Sequence, residues 1–383
     1  NVIINQAEML HSQGHDVKGY FAYLDKGVLK GTSNPYCYMD CYYPINILSN
    51  YKAARIILSL PLAPLASKNL SNMDLLICHG YGPAPWMGYV QKKLRGVKYI
   101  SYIHFLPRMF YLDEVERKLW SFDSTRRMVY LLSRISRPVV EKLDSLGVSN
   151  SDHVLVNSSF TGRRVRKVYG INPTVCSPPV DINTFKRLPS EENRCFRHKF
   201  NRPLIFSSGR IVPIKHWEWL IKALPYIKKV YPSFNLVIAG DIPLESERYF
   251  QELTRLAERL DVKENVKFLG FVSLKELVQL YNVADVYAYA TPREDFGLGP
   301  VEAMACGTPA VVWGDGAGPC ETVIDGKTGF RAEPYDVKDF GEKIVKALDM
   351  DKGSVGNFLH NYVEKNFSCQ RHLEILEKVF QKL

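Results

Sequence analysis

Residues 286–313 read VYAYATPREDFGLGPVEAMACGTPAVVW. Val286–Tyr289 is an apolar run of strand length, Gly299–Cys306 has helical spacing, and Ala310–Trp313 is a second apolar run. Short apolar runs joined through a helix indicate a parallel α/β unit, since parallel strands need a crossover connection. Between the first run and the helix lies Arg293-Glu294-Asp295-Phe296-Gly297-Leu298-Gly299-Pro300-Val301-Glu302, two glutamates separated by seven residues. Its glycines expose backbone N–H groups at a helix N-terminus, where anions bind readily. Glu302, inside the helix, can accept two hydroxyl hydrogen bonds, as from a ribose. Glu294, at the strand end, can hold a sugar hydroxyl.

The same alternation extends outward. In the second half Leu204–Ser207, Leu236–Ala239 and Val266–Leu269 are further strand runs, with helical segments over Trp217–Val230, Glu245–Leu260 and Leu274–Tyr281. In the first half Val17–Tyr23, Leu75–Cys78, Tyr99–Ile103 and Val154–Asn157 alternate with helical stretches Ile3–Ser12, Ile45–Leu58 and Arg126–Leu146. At 383 residues the chain suits two domains, and two sets of α/β units predict two Rossmann-like, doubly wound domains facing across a cleft. The proline-rich SPPVDINTFKRLP, residues 177–189, marks the boundary. The expected division is residues 1–180, then 181–360, with a C-terminal helix over 361–383 packing back toward the N-terminal domain. The chain starts at Asn1 with what reads as the end of a first helix, stopped at Gly14. A first strand and its Gly-rich turn are therefore expected to be missing from it.

Three more stretches carry candidate chemistry at strand ends. Ser207-Ser208-Gly209-Arg210-Ile211-Val212-Pro213-Ile214-Lys215 joins a strand to a helix. Gly209 allows close backbone approach, and Arg210 and Lys215 are two cations able to stabilise charge on a diphosphate leaving group without a metal. A solvated basic loop is the plainer alternative. Tyr102-Ile103-His104-Phe105-Leu106-Pro107-Arg108 places His104 just past a strand, where it serves either structure or a substrate hydroxyl. Gly240 and Asp241, and Gly270 and Phe271, follow two other strands and are turn residues able to contact a base or diphosphate.

Composition bounds the class. Apolar residues at 46% and charged residues at 23% exclude general disorder. No apolar run reaches the roughly 18 residues that mark a membrane helix. No secretory leader is visible, so a signal peptide is absent or already removed. Residues 1–180 hold 22 Lys and Arg against 12 Asp and Glu, whereas residues 181–383 hold 28 of each. All of the net charge of +10 thus lies in the first half, which suits an anionic partner. Within it the basic, aromatic stretch Arg117–Arg137 is read either as a solvated helix face or as a contact with anionic lipid headgroups. Nucleic acid is not expected, because no recognition motif accompanies the charge. Eight scattered cysteines read as reduced thiols of a cytoplasmic enzyme, with peripheral attachment to the cytoplasmic membrane face as a further expectation. The close pair Cys37 and Cys41 is weak as a metal site, and no metal is expected.

The sequence resembles glycosyltransferase family 4, retaining enzymes of the GT-B fold. The resemblance covers nearly the whole chain and is strongest in SSGRIVPIK, VIAGD, VKFLGFVS, EDFGLGPVEAMACGTPAVVW and GPCETVIDGKTGF. QGHDV, YIHFLPR, HVLVNSSFT and SPPVDINTF match more weakly. The resemblance implies that Arg210 and Lys215 bind the donor diphosphate and that Glu302 holds the ribose. It implies that Glu294, with the backbone of Phe296, Gly297 and Leu298, holds the donor sugar, and that His104 lies near the reacting sugar. Transfer would proceed with retention, without a divalent metal or other cofactor. YIHFLPRMFYLDE and EDFGLGPVEA resemble the mannosyltransferase-like branch, which favours GDP-mannose over UDP-sugars as donor and a saccharide or lipid-linked saccharide as acceptor. Two other functions fit the same pocket. One is a sugar-nucleotide epimerase of similar architecture, which the paired glutamates argue against. The other is a non-catalytic sugar-nucleotide-binding subunit.

Overall fold

The computed structural model describes residues 2–21, 39–41, 73–80, 82–107, 111, 114–120 and 124–383. Two compact units are present, Asn1–Pro179 with His372–Leu383, and Val180–Arg371.

The second unit is built on six parallel strands: β7 Leu204–Ser208, β8 Asn235–Ala239, β9 Val266–Gly270, β10 Val286–Tyr289, β11 Ala310–Trp313 and β12 Gly329–Ala332. Their order across the sheet is β12-β11-β10-β7-β8-β9. The chain therefore moves outward in one direction through β7, β8 and β9, returns to the middle, and moves outward in the other through β10, β11 and β12. Strand order reverses between β7 and β10, and the carboxyl ends of these two strands frame the crevice where such sheets bind ligands.

The central strands are buried along their whole length, which is why they read as continuous apolar runs. Alternation along each strand divides the side chains between two cores. Leu204, Phe206, Val237, Ala239, Tyr287, Tyr289 and Val312 belong to one. Ile205, Leu236, Ile238, Val286, Ala288, Val311 and Trp313 belong to the other. Helices Leu274–Val283 and Leu298–Ala305 cover the first face, and Trp217–Lys228 and Val337–Leu348 the second. Helix Leu274–Val283 starts in a capping box. Ser273 Oγ accepts from the Glu276 N–H at 3.3 Å, and the Glu276 carboxylate accepts from the Ser273 N–H at 2.8 Å.

In the first unit β1 Gly19–Phe21 pairs in parallel with β2 Met39–Cys41. A separate parallel sheet runs β3-β4-β5-β6, from Leu75–His79, Lys98–Ile103, His153–Val156 and Thr174–Val175. Its first described element is the helix Val2–Ser12. Gly14 (φ 90°) closes that helix, its N–H donating to the His11 carbonyl. The helical segment Ile45–Leu58 lies outside the described residues. The basic stretch falls on helices Glu114–Trp120 and Ser124–Ser149, and the side chains of residues 120–136 lie outside the description too.

The chain leaves the second unit later than residue 360. That position falls inside helix Lys352–Phe367, whose Leu359, Val363 and Phe367 are part of the second unit's core. Only from His372, within the last helix Cys369–Phe380, does the chain belong to the first unit. Cys78, Cys176, Cys306, Cys320 and Cys369 are free thiols. Cys37, and the side chain of Cys41, lie outside the described residues. Among the described residues no helix is long and apolar enough to cross a membrane. Among the same residues no group of three or more His, Cys, Asp or Glu can hold a metal ion.

Candidate functional site

The carboxyl ends of β7 and β10 bring together the residues that the sequence singled out. Lys215, in a single turn of 3₁₀ helix after β7, places Nζ 2.7 Å from Glu294 Oε2, in the loop after β10. The Tyr289 hydroxyl, on the last residue of β10, donates to the same oxygen at 2.8 Å and lies 3.1 Å from Nζ. The side chains of Lys215 and Glu294 are 26% and 21% exposed, so the pair sits where solvent screens it only in part.

The backbone beside both members is unusual. His216, next to Lys215, and Arg293, next to Glu294, both have φ of 50°. A residue with a β-carbon pays roughly 1–2 kcal/mol for that left-handed conformation. It persists because neighbours over-determine it. The Arg293 N–H donates to Asp315 Oδ2 at 2.7 Å, and the Tyr335 hydroxyl donates to the same oxygen at 3.2 Å. His216 stacks on Trp219 with ring centroids 4.1 Å apart.

Glu302 lies one helical segment away. Gly297 (φ 81°) caps helix Leu298–Ala305, and Glu302 in that helix accepts from the Tyr281 hydroxyl at 2.8 Å. That hydroxyl is 3.1 Å from Ser208 Oγ, which is 3.0 Å from the Tyr287 hydroxyl. Burial pushes the Glu302 carboxyl above its usual range, and the Tyr281 hydrogen bond opposes the shift only in part. Gly299 is small because the Tyr287 hydroxyl leaves no room, an added Cβ falling 2.2 Å from it.

The remaining strand ends are knitted into one floor. The Gly209 N–H donates to the Ala239 carbonyl at 2.9 Å, the Gly240 N–H to Gly270 at 2.8 Å, and the Ile211 N–H to Asp241 at 2.8 Å. A Cβ on Gly240 would fall 1.9 Å from the Gly209 carbonyl oxygen, so only glycine closes this turn. Arg210 and Asp241 are exposed, with Trp217 Nε1 donating to the Arg210 carbonyl at 3.1 Å. Phe271 is 83% exposed beyond β9. Phe296 differs from its neighbours, since its ring is 4% exposed and meets Phe367 edge-on in the core. Only its backbone is available to a ligand, as with Gly297 and Leu298 at the helix N-terminus, whose first N–H groups have no partner within the helix.

His104 belongs to the first unit, just beyond β4. Its Nε2 is 3.0 Å from His79 Nδ1, Asn157 Nδ2 donates to its carbonyl at 2.7 Å, and its ring lies 4.3 Å from that of Tyr102. Burial, then repulsion from His372, lowers its pKa to about 4, so the imidazole is neutral at pH 7. His372 is itself buried, its Nδ1 donating to the Ser177 carbonyl at 2.7 Å, with Gln6 at 2.9 Å from Nε2.

Tyr281, Tyr287, Tyr289 and Asp315 carry this site and were not found by sequence reasoning, and Ser208 lay in a stretch that was singled out but was given no role of its own. Tyr287 and Tyr289 had one available signal, since alternate residues of a strand share a face.

A doubly wound sheet with a cation, two carboxylates and a glycine-capped helix at its switch point, joined to a second parallel α/β unit, has the GT-B architecture. The family described as Glycosyltransferase Family 4 matches residues 1–184, and that described as Glycosyl transferases group 1 matches residues 190–366. The chain belongs to glycosyltransferase family 4. It is 32% identical over 239 residues to the GDP-mannose-dependent monoacylated alpha-(1-6)-phosphatidylinositol monomannoside mannosyltransferase of Corynebacterium glutamicum, covering 58% of this chain and 60% of the relative. The chain thus spans less than two thirds of that relative's length. Sucrose-phosphate synthase from Thermosynechococcus elongatus has the same fold at TM-score 0.78 and 21% identity, over 99% of this chain and 92% of the other. Anabaena Alr3699/HepE, solved in complex with UDP, aligns at TM-score 0.76 and 19% identity, over 100% of this chain and 96% of the other.

Proposed function

We propose that the chain is a retaining glycosyltransferase that moves a hexose, mannose in the first place, from a nucleotide sugar to a saccharide or lipid-linked saccharide. The observation that carries this reading is the Lys215–Glu294 pair at the switch point of the second sheet, with Glu302 on the adjoining helix.

Arg210 and Lys215 face the donor diphosphate. When the bond from the sugar's anomeric carbon to the phosphate oxygen breaks, its electron pair leaves with the nucleotide, and the two cations stabilise the charge that develops. In the absence of donor Lys215 is neutralised by Glu294. Donor binding hands the ammonium to the diphosphate and leaves the Glu294 carboxylate to accept from sugar hydroxyls. The N–H groups of Gly297 and Leu298 add positive potential at the helix N-terminus. Glu302 accepts from the ribose hydroxyls, with Tyr281 fixing its position. Gly209, Gly240 and Gly270 bring backbone close to the nucleotide, flanked by Asp241 and Phe271. His104, neutral at pH 7, contacts a hydroxyl of the reacting sugar. Two side-chain cations supply the charge stabilisation, and on this reading no divalent metal takes part.

GDP-mannose is the favoured donor, supported by the Corynebacterium relative, which is named for it. A UDP-sugar is the second reading, supported by the UDP complex of the Anabaena protein. The lipid-linked acceptor is likewise supported by that relative's phosphatidylinositol mannoside substrate. The basic first half fits a protein that works in the cytoplasm at an anionic membrane face, with about 1 kcal/mol available per basic residue at the surface.

A donor panel tests the reading. GDP-mannose, UDP-glucose, UDP-N-acetylglucosamine and ADP-glucose are offered to the purified chain, and nucleotide release and the anomeric configuration of the product are followed. One donor cleaved with retention is expected. Interconversion of the sugar without nucleotide release would make it an epimerase, and binding without release a sugar-nucleotide-binding subunit.

A further inference from the structure

The amino ends of β7 and β10, at the opposite edge of the second sheet from Lys215 and Glu294, frame a cavity of about 350 Å³. That volume lies within the range of small-molecule sites, roughly 300–1,000 Å³. Among the described residues its charged lining is cationic, from Arg187, Arg202 and Lys352, together with Asn193, Asn282 and Cys306. Arg202 donates to the Val283 carbonyl and to Asp285, and Lys352 donates to the Asn282 and Ala284 carbonyls at 2.5 Å each. Arg187 donates to the neutral Asn357. Asn193 is 8% exposed, and its side-chain carbonyl lies buried with no hydrogen-bond donor among the described residues. A buried acceptor of that kind calls for a water or a ligand hydroxyl.

We propose that this cavity binds a phosphate monoester of a polyol or sugar, with the phosphate on Arg187, Arg202 and Lys352 and a hydroxyl donating to Asn193. Guanidinium and ammonium groups suit phosphate oxygens. The polyol part supplies the donor that Asn193 lacks, which chloride and inorganic phosphate supply poorly or not at all. The site is separate from the donor site, because the five residues of β7 set the two edges about 16 Å apart. It also rests on the elements that shape the donor carboxylate. Cys306 follows the helix that carries Glu302, and Asn282 and Val283 end the helix that carries Tyr281.

The test silences the donor site first, so that phosphate binding there cannot be mistaken for this one. In an Arg210→Ala, Lys215→Ala background, glycerol 3-phosphate and inorganic phosphate are titrated by calorimetry at matched ionic strength, with chloride as control. The expected result is saturable binding at one site, tighter for glycerol 3-phosphate than for phosphate, and weakened at least tenfold by Arg187→Gln and by Lys352→Gln. Asn193→Ala should remove the preference for glycerol 3-phosphate. Binding no stronger than that of chloride would overturn the proposal, as would affinity unchanged in the folded variants. Should Arg187→Gln fail to fold, Lys352→Gln and the position of phosphate density in a crystal of the background protein decide the matter. Density elsewhere overturns it.

Discussion

Replacing Lys215 by alanine removes an ammonium 2.7 Å from Glu294 and 3.1 Å from the Tyr289 hydroxyl. On the proposed mechanism the larger loss comes when the diphosphate departs. A unit charge about 4 Å from developing negative charge is worth roughly 4 kcal/mol at an effective dielectric constant near 20. Removal of a single oxyanion-stabilising group typically costs about 2.7–4 kcal/mol, or 10²–10³ in turnover. We therefore expect Lys215→Ala to lower kcat by about 10²–10³, with donor KM changing far less, because the lost contact strengthens in the transition state. Lys215→Arg should recover only part of the rate, since a planar fork cannot place its charge where the ammonium sits. Glu294→Gln offers a second check. The two side chains touch, so their effects should be non-additive, with a coupling of about 0.5–3 kcal/mol in the double mutant. Steady-state nucleotide release from the parent, the three single variants and the double mutant, with melting temperatures as a folding control, supplies the numbers. A kcat for Lys215→Ala within threefold of the parent, or strictly additive losses, would refute the reasoning.

Three further outcomes are expected. Burial holds the Glu302 proton at higher pH than an ordinary glutamate does, so its capacity to accept from two hydroxyls is full at alkaline pH and lost as pH falls through that raised value. Nucleotide affinity should drop on acidification from pH 8 toward pH 5 and become weak and nearly flat in Glu302→Gln, and an equal slope in both would count against the assignment. Gly240→Ala should destabilise the chain by about 1–3 kcal/mol or more, because its methyl group falls on the Gly209 carbonyl. Calorimetry should then show a melting temperature lower by at least about 2–4 °C, and no change would mean that the turn relaxes at little cost. His104→Ala should slow transfer by the worth of a hydrogen bond or two, about 1–3 kcal/mol, while nucleotide affinity stays unchanged. A large loss of nucleotide affinity in that variant would place His104 in a different role.

Burial decided which elements were legible in the sequence. β8, β10 and β11 are buried on both faces, so their residues, Asn235 apart, stand out as apolar runs. β12 at the sheet edge reads Gly-Phe-Arg-Ala, and Arg331 turns its side chain to the Val323 carbonyl at 2.7 Å, so no apolar run announces it. Helix Pro83–Arg95 begins Pro-Ala-Pro, which reads as a loop although proline is tolerated in a first helical turn. Helix Ser159–Tyr169, which Ser158 caps and Gly170 ends, is too basic for an apolar stripe to stand out. Within the site, Lys215, Glu294 and Glu302 were legible because each sits at a fixed offset from a strand run. Their partners were not. Ser208 and Tyr281 meet at 3.1 Å only because β7 lies beside the helix Leu274–Val283, a juxtaposition of topology and not of spacing. The left-handed backbone at His216 and Arg293 was also invisible, since neither residue type signals it.

The central claim is that the paired glutamates and the Lys215 loop form a nucleotide-sugar donor site. Equilibrium binding of GDP and UDP to the parent chain and to Glu302→Ala, measured by calorimetry, tests it most directly. Saturable binding of one nucleotide, weakened at least about tenfold by loss of one charged hydrogen-bonding group, is the expected result. Binding of neither nucleotide, or equal binding to both proteins, would contradict it.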